Sequence, residues 1–256
     1  DGSFVLAYFL GTLVVYTLAT AVALWRQKPM AEAAIEAQCA VIGNVGFLGI
    51  PMLILLLGPK AIGPVMLVLA VDLIFFGSLV VMLVTGSRGG QAGFAMLATS
   101  VLGLVKNPMI VSISLGLCWS ALSLPIPVPL NEFVIILGGA ATPGALFAIG
   151  ASLAFKSAER LEVAAWLSFC KLILHPACVA FSAFVVFSVE RYSAGVMVAA
   201  AALPVAGNVY IISQHYGVAP QRVSASILIS TGISIVTLSV VIALIGAGLV
   251  PGQNPS

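Results

Sequence analysis

The stretch Gly43-Asn-Val-Gly-Phe-Leu-Gly-Ile-Pro51 interrupts one long apolar segment, and Leu203-Pro-Val-Ala-Gly-Asn-Val209 interrupts another. Both stretches contain the tripeptide Gly-Asn-Val, at 43–45 and at 207–209. Backbone N–H and C=O groups in hydrocarbon must be hydrogen-bonded within the protein, so such a break persists only where protein or a water-filled cavity surrounds it. Matched breaks in the two halves of a chain indicate the substrate site of a transporter.

The composition of the 256-residue chain agrees with a membrane location. It has 61% hydrophobic and 7% charged residues, and its mean hydropathy is +1.21. These values predict an all-α integral membrane protein. The net charge of +2 comes without a basic cluster, which argues against nucleic-acid binding.

The apolar segments predict eight membrane spans, because a helix needs about 20 apolar residues to cross the hydrocarbon. A mixed stretch at 92–107 predicts an interfacial helix, and Pro125, Pro127 and Pro129 predict an extended link. The predicted spans are 4–25, 35–57, 61–85, 108–124, 133–155, 162–188, 194–215 and 222–249.

The basic residues predict the orientation of the spans, since Lys and Arg favour cytoplasmic loops. Only Lys60 and Arg191 fall on one side, which places both termini outside the cytoplasm. The interrupted helices are spans two and seven, and this odd offset predicts an inverted repeat whose two discontinuous helices cross. The basic residues of the opposite side are Arg26, Lys28, Arg88, Lys106, Lys156, Arg160 and Arg222.

Each break also predicts local chemistry. The first helix is expected to unwind over 43–49 and to restart at Pro51, because proline fits the first helical turn. Two restarted half-helices would point their positive ends at mid-membrane and, with two asparagine amides, favour an anionic or polar substrate. The alternative is that Gly and Pro only assist helix packing. The candidate binding residues are Asn44, Gly46, Gly49, Pro51, Pro204, Gly207 and Asn208.

Charged residues inside spans are costly and are usually functional. Asp72 lies in the middle of span three, where we expect it either to bind a coupling proton or cation or to pair with Lys171. His175 follows Lys171 by one helical turn, so both side chains are candidates for one pathway, although hydrogen-bonded packing is favoured for His175. Ser230 belongs to a polar stripe on the last span and completes the ion-coupling candidates.

Other kinds of site have little support in the sequence. The four cysteines have no C-x-x-C spacing and the two histidines are far apart, so neither a metal site nor a cofactor is predicted. The Gly-rich stretches do not end in Gly-Lys-Ser/Thr, which argues against nucleotide binding. The deep ionisable residues form no evident nucleophile and base pair, so an enzyme is the least favoured interpretation.

An ordered set of short motifs resembles the auxin efflux carrier family, in its bacterial malonate or organic-acid permease-like form. The resemblance covers nearly the whole chain, and one local departure is Gly43, where plant-type members have proline. The motifs are Asn44-x-Gly-x-x-Gly-Ile-Pro51, Lys-Asn-Pro108, Ala-Leu-Phe-Ala-Ile-Gly150, Lys171 five residues before Pro176, and Ala-Leu-Pro204 leading to Asn208.

The resemblance implies a ten-helix inverted-repeat carrier, of which the first two helices are absent from these 256 residues. It implies a transport part made of 1–86 and 157–256, with three spans in each, and scaffold spans within 87–156 that also mediate dimerisation. It further implies alternating access and carboxylate substrates such as malonate, malate or auxin-like acids.

The sequence therefore predicts a secondary active transporter of small organic anions in a bacterial inner membrane. Its expected partners are the anion, a coupling proton or sodium ion, the lipid bilayer and a second copy in a homodimer. A sodium-coupled symporter of the bile-acid carrier type is the main alternative.

Overall fold

The computed structural model describes residues 2–89, 108–154 and 161–247. Within these ranges the backbone is helical almost throughout, and extended pairing is limited to one antiparallel bridge between Gly43 and Val205. The all-α class expected from the composition is confirmed for this part of the chain. The interfacial helix expected at 92–107 lies outside the described residues.

The helices consist mostly of apolar residues. This composition suits a membrane, because a helix pairs its own backbone groups and its side chains can then face either lipid or the protein interior. The helix Ile50–Leu57 is followed by Gly58, whose φ of +92° is accessible to glycine and strained for other residues. In chain order the α-helices are α1 (Gly2–Trp25), α2 (Met30–Val41), α3 (Ile50–Leu57), α4 (Ile62–Ala70), α5 (Gly77–Gly89), α6 (Pro108–Ala121), α7 (Val128–Ala154), α8 (Leu161–Phe169), α9 (His175–Phe181), α10 (Arg191–Ala201), α11 (Gly207–Tyr216) and α12 (Pro220–Gly246).

Wider π-helical turns continue several of these helices. A π-turn carries an extra residue and changes the direction in which the following side chains point, and such turns occur often at functional sites. Two of them hold the buried charged residues Asp72 and Lys171. The turns are Val45–Gly49, Val71–Phe76, Cys170–Leu174 and Ser182–Val186.

Helix length separates the continuous membrane segments from the interrupted ones. The helices on either side of the two breaks are shorter than about 20 residues, the length needed for a crossing, so a crossing at each break requires both halves. Within the described ranges, four segments are long and apolar enough to cross a membrane, namely Gly2–Trp25, Pro59–Ser87, Leu161–Val186 and Pro220–Gly246.

The helix ends follow the predicted spans closely. The largest differences are at Met30 and Val128, where α2 and α7 begin before the expected residues 35 and 133. Part of the expected extended link is wrong, because Pro129 lies in the first turn of α7. Proline is compatible with that position, since the first amides of a helix have no carbonyl partner within it.

Helices α1 and α9 pack closely through a glycine. A Cβ on Gly11 would lie 2.8 Å from the Cα of Val179, so only glycine fits between these backbones. The buried apolar side chains form two clusters, and both draw their residues from 2–89 and 161–247. The helices before 90 and after 160 therefore share one packed core.

An ion-pair cluster holds the ends of α1, α2 and α12 together. Glu36, which is 1% exposed, accepts hydrogen bonds from Arg26 and from Arg222, the latter at 2.6 Å. Arg222 also reaches Glu32 at 3.0 Å, and Lys28 lies 3.6 Å from the same carboxylate. Burial alone would raise the pKa of Glu32, but the bond and charge of Arg222 hold this pKa below its ordinary value. The buried carboxylate of Glu36 and the partly exposed carboxylate of Glu32 are thereby both compensated.

Candidate functional site

The two predicted breaks lie against each other. The amide of Asn44 donates to the carbonyl of Pro204 at 2.8 Å, and the amide of Ala206 donates to the carbonyl of Ile42 at 3.0 Å. These two bonds form the bridge between Gly43 and Val205. Each break thus satisfies backbone groups that the other leaves open, which is the requirement for non-helical backbone at membrane depth.

Three other elements support this contact, α10 through the backbone carbonyl of Ala200 and two others through the side chains of Lys171 and Ser230. A Cβ on Gly43 would lie 3.3 Å from the Ala200 carbonyl oxygen and equally close to the end of Lys171. The hydroxyl of Ser230 accepts the amide hydrogen of Val205 at 3.1 Å. Ser230 therefore secures the backbone of the second break, a role that the sequence did not indicate.

The first helix restarts earlier than predicted. The expected restart at Pro51 is wrong, because a π-turn already begins at Val45, and the amides of Leu48 and Gly49 both donate to the Asn44 carbonyl, at 3.0 and 2.9 Å. Pro51 is the second residue of α3 and directly follows the π-turn, so it lies inside the helix that begins at Val45. The unwound segment is therefore only residues 42–44.

The second break is longer and differently organised. Helix α10 ends at Ala201, and α11 begins at Gly207, so that Pro204 lies inside the break and Asn208 is the second residue of the new helix. Gly49 of the first break packs here, since a Cβ on it would lie 2.6 Å from a terminal carbon of Leu203. Five of the seven candidate binding residues thus border the contact between the breaks or the cavity beside it, namely Asn44, Gly46, Gly49, Pro204 and Asn208.

A cavity of about 1000 Å³ opens beside this contact. Residues in the first turn of both restarted helices line it, so the positive ends of the two helix dipoles lie beside it. Its wall is mostly apolar with a few polar side chains, which is typical of small-molecule sites. The lining residues are Ile42, Gly43, Asn44, Gly46, Phe47, Ile50, Ile62, Gly63, Met66, Leu69, Asp72, Leu73, Ser112, Gly116, Ser120, Ala206 and Asn208.

Three polar side chains in this wall retain hydrogen-bonding capacity. The Oδ1 atoms of Asn44 and Asn208 and the Oδ2 atom of Asp72 are buried and accept no hydrogen bond from any described residue. Asn44 is 9% exposed and Asp72 is 3% exposed. Buried polar groups are nearly always paired, so these oxygens are positioned for a ligand.

Asp72 and Lys171 do not form the direct ion pair that was one of the two alternatives. The Oδ1 atom of Asp72 instead accepts a hydrogen bond from the Tyr8 hydroxyl at 2.7 Å, and the ion pairs of the described residues are those of the Glu32 and Glu36 cluster. Asp72 lines the cavity, and its second oxygen is buried without a hydrogen-bond partner among the described residues. It is therefore the candidate coupling residue that reaches the candidate site directly.

Lys171 and His175 lie behind the contact between the breaks and are absent from the cavity lining. The Lys171 ammonium donates to the Ala201 carbonyl at the end of α10 and lies 3.0 Å from the Nδ1 atom of His175. The Nε2 atom of His175 is 3.0 Å from the hydroxyl of Thr12. Both residues are fully buried, so their side chains do not line an open pathway in this structure.

Tyr8 and Thr12 on α1 were not among the site residues predicted from the sequence. Both are buried, and together with Tyr16 they recur every four residues on one face of that helix. Polar residues at this spacing in a membrane span indicate a face that contacts protein rather than lipid, and this signal was readable. In the described part of the chain, His, Cys, Asp and Glu side chains form no group of three that could bind a metal.

Comparison with known proteins places this site in a family. The family model described as "Membrane transport protein" matches residues 3–242. The chain belongs to this family. It is the auxin efflux carrier family that the motifs resemble, so that prediction is confirmed.

A curated relative agrees with this placement. The transporter is 31% identical, over 245 residues, to a protein of Rhizobium meliloti (strain 1021) named "Putative malonate transporter", and the match covers 94% of the chain and 77% of the relative. The chain is thus an integral membrane transporter with a small-molecule substrate and the bilayer as its surroundings.

Proposed function

We propose that the protein is a secondary active transporter of small organic anions, with carboxylates such as malonate, malate or auxin-like acids as substrates. The observation that carries the proposal is the contact between the two helix breaks beside a cavity of about 1000 Å³ that both asparagines line. The name of the Rhizobium meliloti relative supports the same substrate class. The described helices serve binding and movement, so the proposal includes no enzymatic step.

The cavity favours an anion through helix ends and neutral donors. The first turns of two helices each place roughly half a positive charge beside the cavity. Asn44 and Asn208 add side-chain amides that can donate or accept after a simple rotation. The described lining contains no Arg or Lys, and an Arg would hold a carboxylate in a tight two-point contact. Weak binding that permits release is the expected result.

Asp72 is the proposed site of ion coupling. Its side chain belongs to the lining of the cavity that the anion would enter, and one of its oxygens has no partner among the described residues. Two negative charges in one poorly hydrated site repel each other. Binding of the substrate is therefore favoured when Asp72 carries a proton. Anion and proton would then move together down the proton gradient.

The architecture proposed for this carrier follows the inverted repeat. Eight spans cross the membrane, and 1–86 and 157–256 form the moving transport part, with the scaffold in 87–156. The shared core of the helices before 90 and after 160 supports this division. We further propose that both ends of this chain face away from the cytoplasm, that the membrane is the bacterial inner membrane, and that the scaffold mediates a homodimer.

Sodium coupling is the second candidate, because three residues that line the cavity each have an acceptor oxygen without a partner among the described residues. The free oxygens of Asn44, Asp72 and Asn208 belong to the ligand type that hard cations prefer. A sodium ion bound there would neutralise Asp72 in place of a proton. The two candidates differ only in the driving ion.

Uptake by proteoliposomes tests the proposal. Purified protein should accumulate labelled malonate or a related dicarboxylate against its gradient when an inward proton gradient is imposed, and should not respond to sodium. Sodium-driven accumulation would move the assignment to the second candidate. Failure to transport any carboxylate, with folded protein in the vesicles, would contradict the substrate class.

The variant Asp72→Asn separates coupling from binding. It should lose gradient-driven accumulation by at least about tenfold, since the amide cannot exchange a proton at any working pH. Exchange of labelled for unlabelled substrate across the vesicle should persist, because exchange needs no net ion movement. Normal accumulation by this variant under both gradients would remove Asp72 from the coupling step.

A further inference from the structure

Two hydrogen-bonded groups of side chains connect the cavity to the contact between the breaks. In the first, the Tyr8 hydroxyl donates to Asp72 at 2.7 Å. In the second, Thr12, His175 and Lys171 follow one another at 3.0 Å steps and end on the Ala201 carbonyl. All five side chains are at most 3% exposed.

The two groups adjoin on α1. Tyr8 and Thr12 are one turn apart on the same helix face, and the Tyr8 ring meets the His175 ring edge-on with their centres 5.9 Å apart. The carboxyl that faces the cavity and the ammonium behind the breaks are therefore the two ends of one buried polar assembly, which we call the Asp72–Lys171 assembly.

The donors of this assembly have one consistent direction. An ammonium on Lys171 can only donate, so Nδ1 of His175 must accept and its proton must lie on Nε2, which then donates to Thr12. Tyr8 donates to Asp72 at the other end. Each member thus stabilises a positive charge on Lys171 together with a negative charge on Asp72, and buried charges persist only with such compensation.

We propose that Tyr8 is a positioning residue that keeps Asp72 ionised between transport cycles, with Lys171 balancing its charge through the Asp72–Lys171 assembly. The inference rests on the proposed function, in which Asp72 takes up the coupling proton. Tyr8 does not line the cavity, so its role is exerted through Asp72 rather than on the substrate. When a proton from the cavity binds Asp72, the Tyr8 bond to a charged acceptor becomes a weaker neutral one.

The titratable groups around Asp72 are limited. Tyr8 donates to it from α1, and the turn and helix at 170–181 add the buried Lys171 and His175, of which His175 contacts Thr12, Lys171 and the Tyr8 ring. Helix α2 packs along α5 and adds the buried thiol of Cys39, whereas its Glu36 is held by Arg26 and Arg222. Helix α10 packs on α4 and has Arg191 and Tyr192 at its distant end, where Tyr192 donates to the Leu57 carbonyl.

The chain provides a matched control for Tyr8. Tyr16 lies two turns further along α1, is 3% exposed, and its hydroxyl contacts no acceptor among the described residues. Tyr8→Phe and Tyr16→Phe each remove one buried hydroxyl and leave the ring in place. Only Tyr8→Phe removes a donor from Asp72.

The test measures the protonation of Asp72 in substrate-free protein. Infrared difference spectra against Asp72→Asn identify the band of the protonated carboxyl, which is followed as a function of pH. A donor to a carboxylate favours its charged form, so Tyr8→Phe should move the midpoint to higher pH by about one unit. Tyr16→Phe should leave it unchanged, and Thr12→Val should give a smaller shift in the same direction. The pH profile of malonate uptake should move in parallel.

The outcomes separate this inference from the function on which it rests. An unchanged midpoint in Tyr8→Phe, or an equal shift in Tyr16→Phe, would overturn the role of Tyr8. A midpoint that shifts as expected in a protein that transports no carboxylate would uphold the control of Asp72 by Tyr8 and overturn the proposed substrate class.

Discussion

The two helix breaks contain the same tripeptide but place it differently. In the first, Gly43 forms the bridge and Asn44 precedes the restarted helix. In the second, Val205 forms the bridge, while Gly207 and Asn208 are already the first two residues of α11. The breaks also have different supports, since the first lies against Lys171 and the second is bonded to Ser230.

This difference shows which structural feature the repeated Gly-Asn-Val tripeptide has in common at the two breaks. The backbone register is not repeated, whereas each asparagine still lines the same cavity and has an Oδ1 atom without a partner among the described residues. Cavity-facing asparagine is thus the common feature, and each half of the chain closes its break with different neighbours. Substitutions at those neighbours should affect one break at a time, except where the two breaks contact each other.

The largest effect is expected where the breaks contact each other, at Gly49 and Leu203. A methyl group on Gly49 would lie 2.6 Å from Leu203, so Gly49→Ala should lower the free energy of unfolding by about 2 kcal/mol. Leu203→Ala alone should cost about 2 to 3 kcal/mol, because it empties a fully buried site. Thermal unfolding in detergent measures both.

The double variant is the decisive part of this prediction. Leu203→Ala makes room for the methyl group that Gly49→Ala adds, so the combined loss should be at least about 1 kcal/mol smaller than the sum of the single losses. Gly46→Ala is the control in the same π-turn, since its nearest neighbour would be 3.8 Å away. Additive losses at Gly49 and Leu203 would mean that the breaks do not contact each other there.

A second prediction concerns the support of the second break alone. Ser230→Ala leaves the buried amide of Val205 without its acceptor, which should cost about 1 to 3 kcal/mol. Ser239→Ala is the matched control, because Ser239 lies on the same helix, is exposed, and bonds only to the Ile235 carbonyl. Hydrogen exchange at 203–209 should rise in the first variant only. Equal exchange in the two variants would contradict the role of Ser230.

The first break should respond to Gly43→Ala with a loss of about 1 kcal/mol. The added methyl group would lie 3.3 Å from the Ala200 carbonyl and from Lys171, so one of them must move. Gly232→Ala is the control, since nothing lies within 4 Å of its added methyl group and alanine favours a helix. An unchanged or raised stability of Gly43→Ala would show that Lys171 does not fill that space.

The smallest effect is expected at the start of α10, the helix that leads into the second break. Glu190 accepts hydrogen bonds from the amides of Tyr192 and Ser193 at 2.9 and 2.8 Å. Burial alone would raise the pKa of Glu190, but the hydrogen bonds outweigh this effect and hold the pKa below its ordinary value. The contribution is therefore full above the unfolded-state pKa and is lost as the pH falls through the folded-state pKa.

Glu190→Ala should accordingly lower stability by about 0.5 to 1 kcal/mol at neutral pH, and less in acid. Unfolding measured at several pH values should show the variant and the parent protein converging as the pH falls. A difference that does not depend on pH would show that Glu190 acts through packing rather than through its charge.

Much of the fold could be predicted from the sequence because hydropathy reports directly on membrane helices. The helix ends, the two breaks and the depth of Asp72 all follow from the apolar pattern and from Gly, Asn and Pro within it. The restart at Val45 could not, because a π-turn depends on tertiary contacts such as the Asn44 amide with Pro204. The prediction from proline placed the restart at Pro51, whereas Pro51 is the second residue of α3 and lies after the start of the helix at Val45.

The partners of the buried charges were equally beyond the sequence. Asp72 and Lys171 are opposite charges at similar depth, and the sequence offered direct pairing as one alternative, whereas the fold places Tyr8 and His175 beside them. The polar face of α1 carried the missing signal. Tyr8 and Thr12 lie on a helix that is otherwise largely apolar, and the packing of α1 against α9 places them beside the buried charges.

We propose that Asn44 and Asn208, one at each break, together bind one carboxylate. Calorimetric titration of purified protein with malonate is the measurement that tests this binding. Asn131→Leu is the control, since Asn131 is exposed on α7 away from the cavity. The account predicts that Asn44→Leu and Asn208→Leu each weaken binding at least about tenfold, which is about 1.4 kcal/mol, while Asn131→Leu binds like the parent protein. Unchanged affinity in both cavity variants would place the substrate elsewhere and contradict the account.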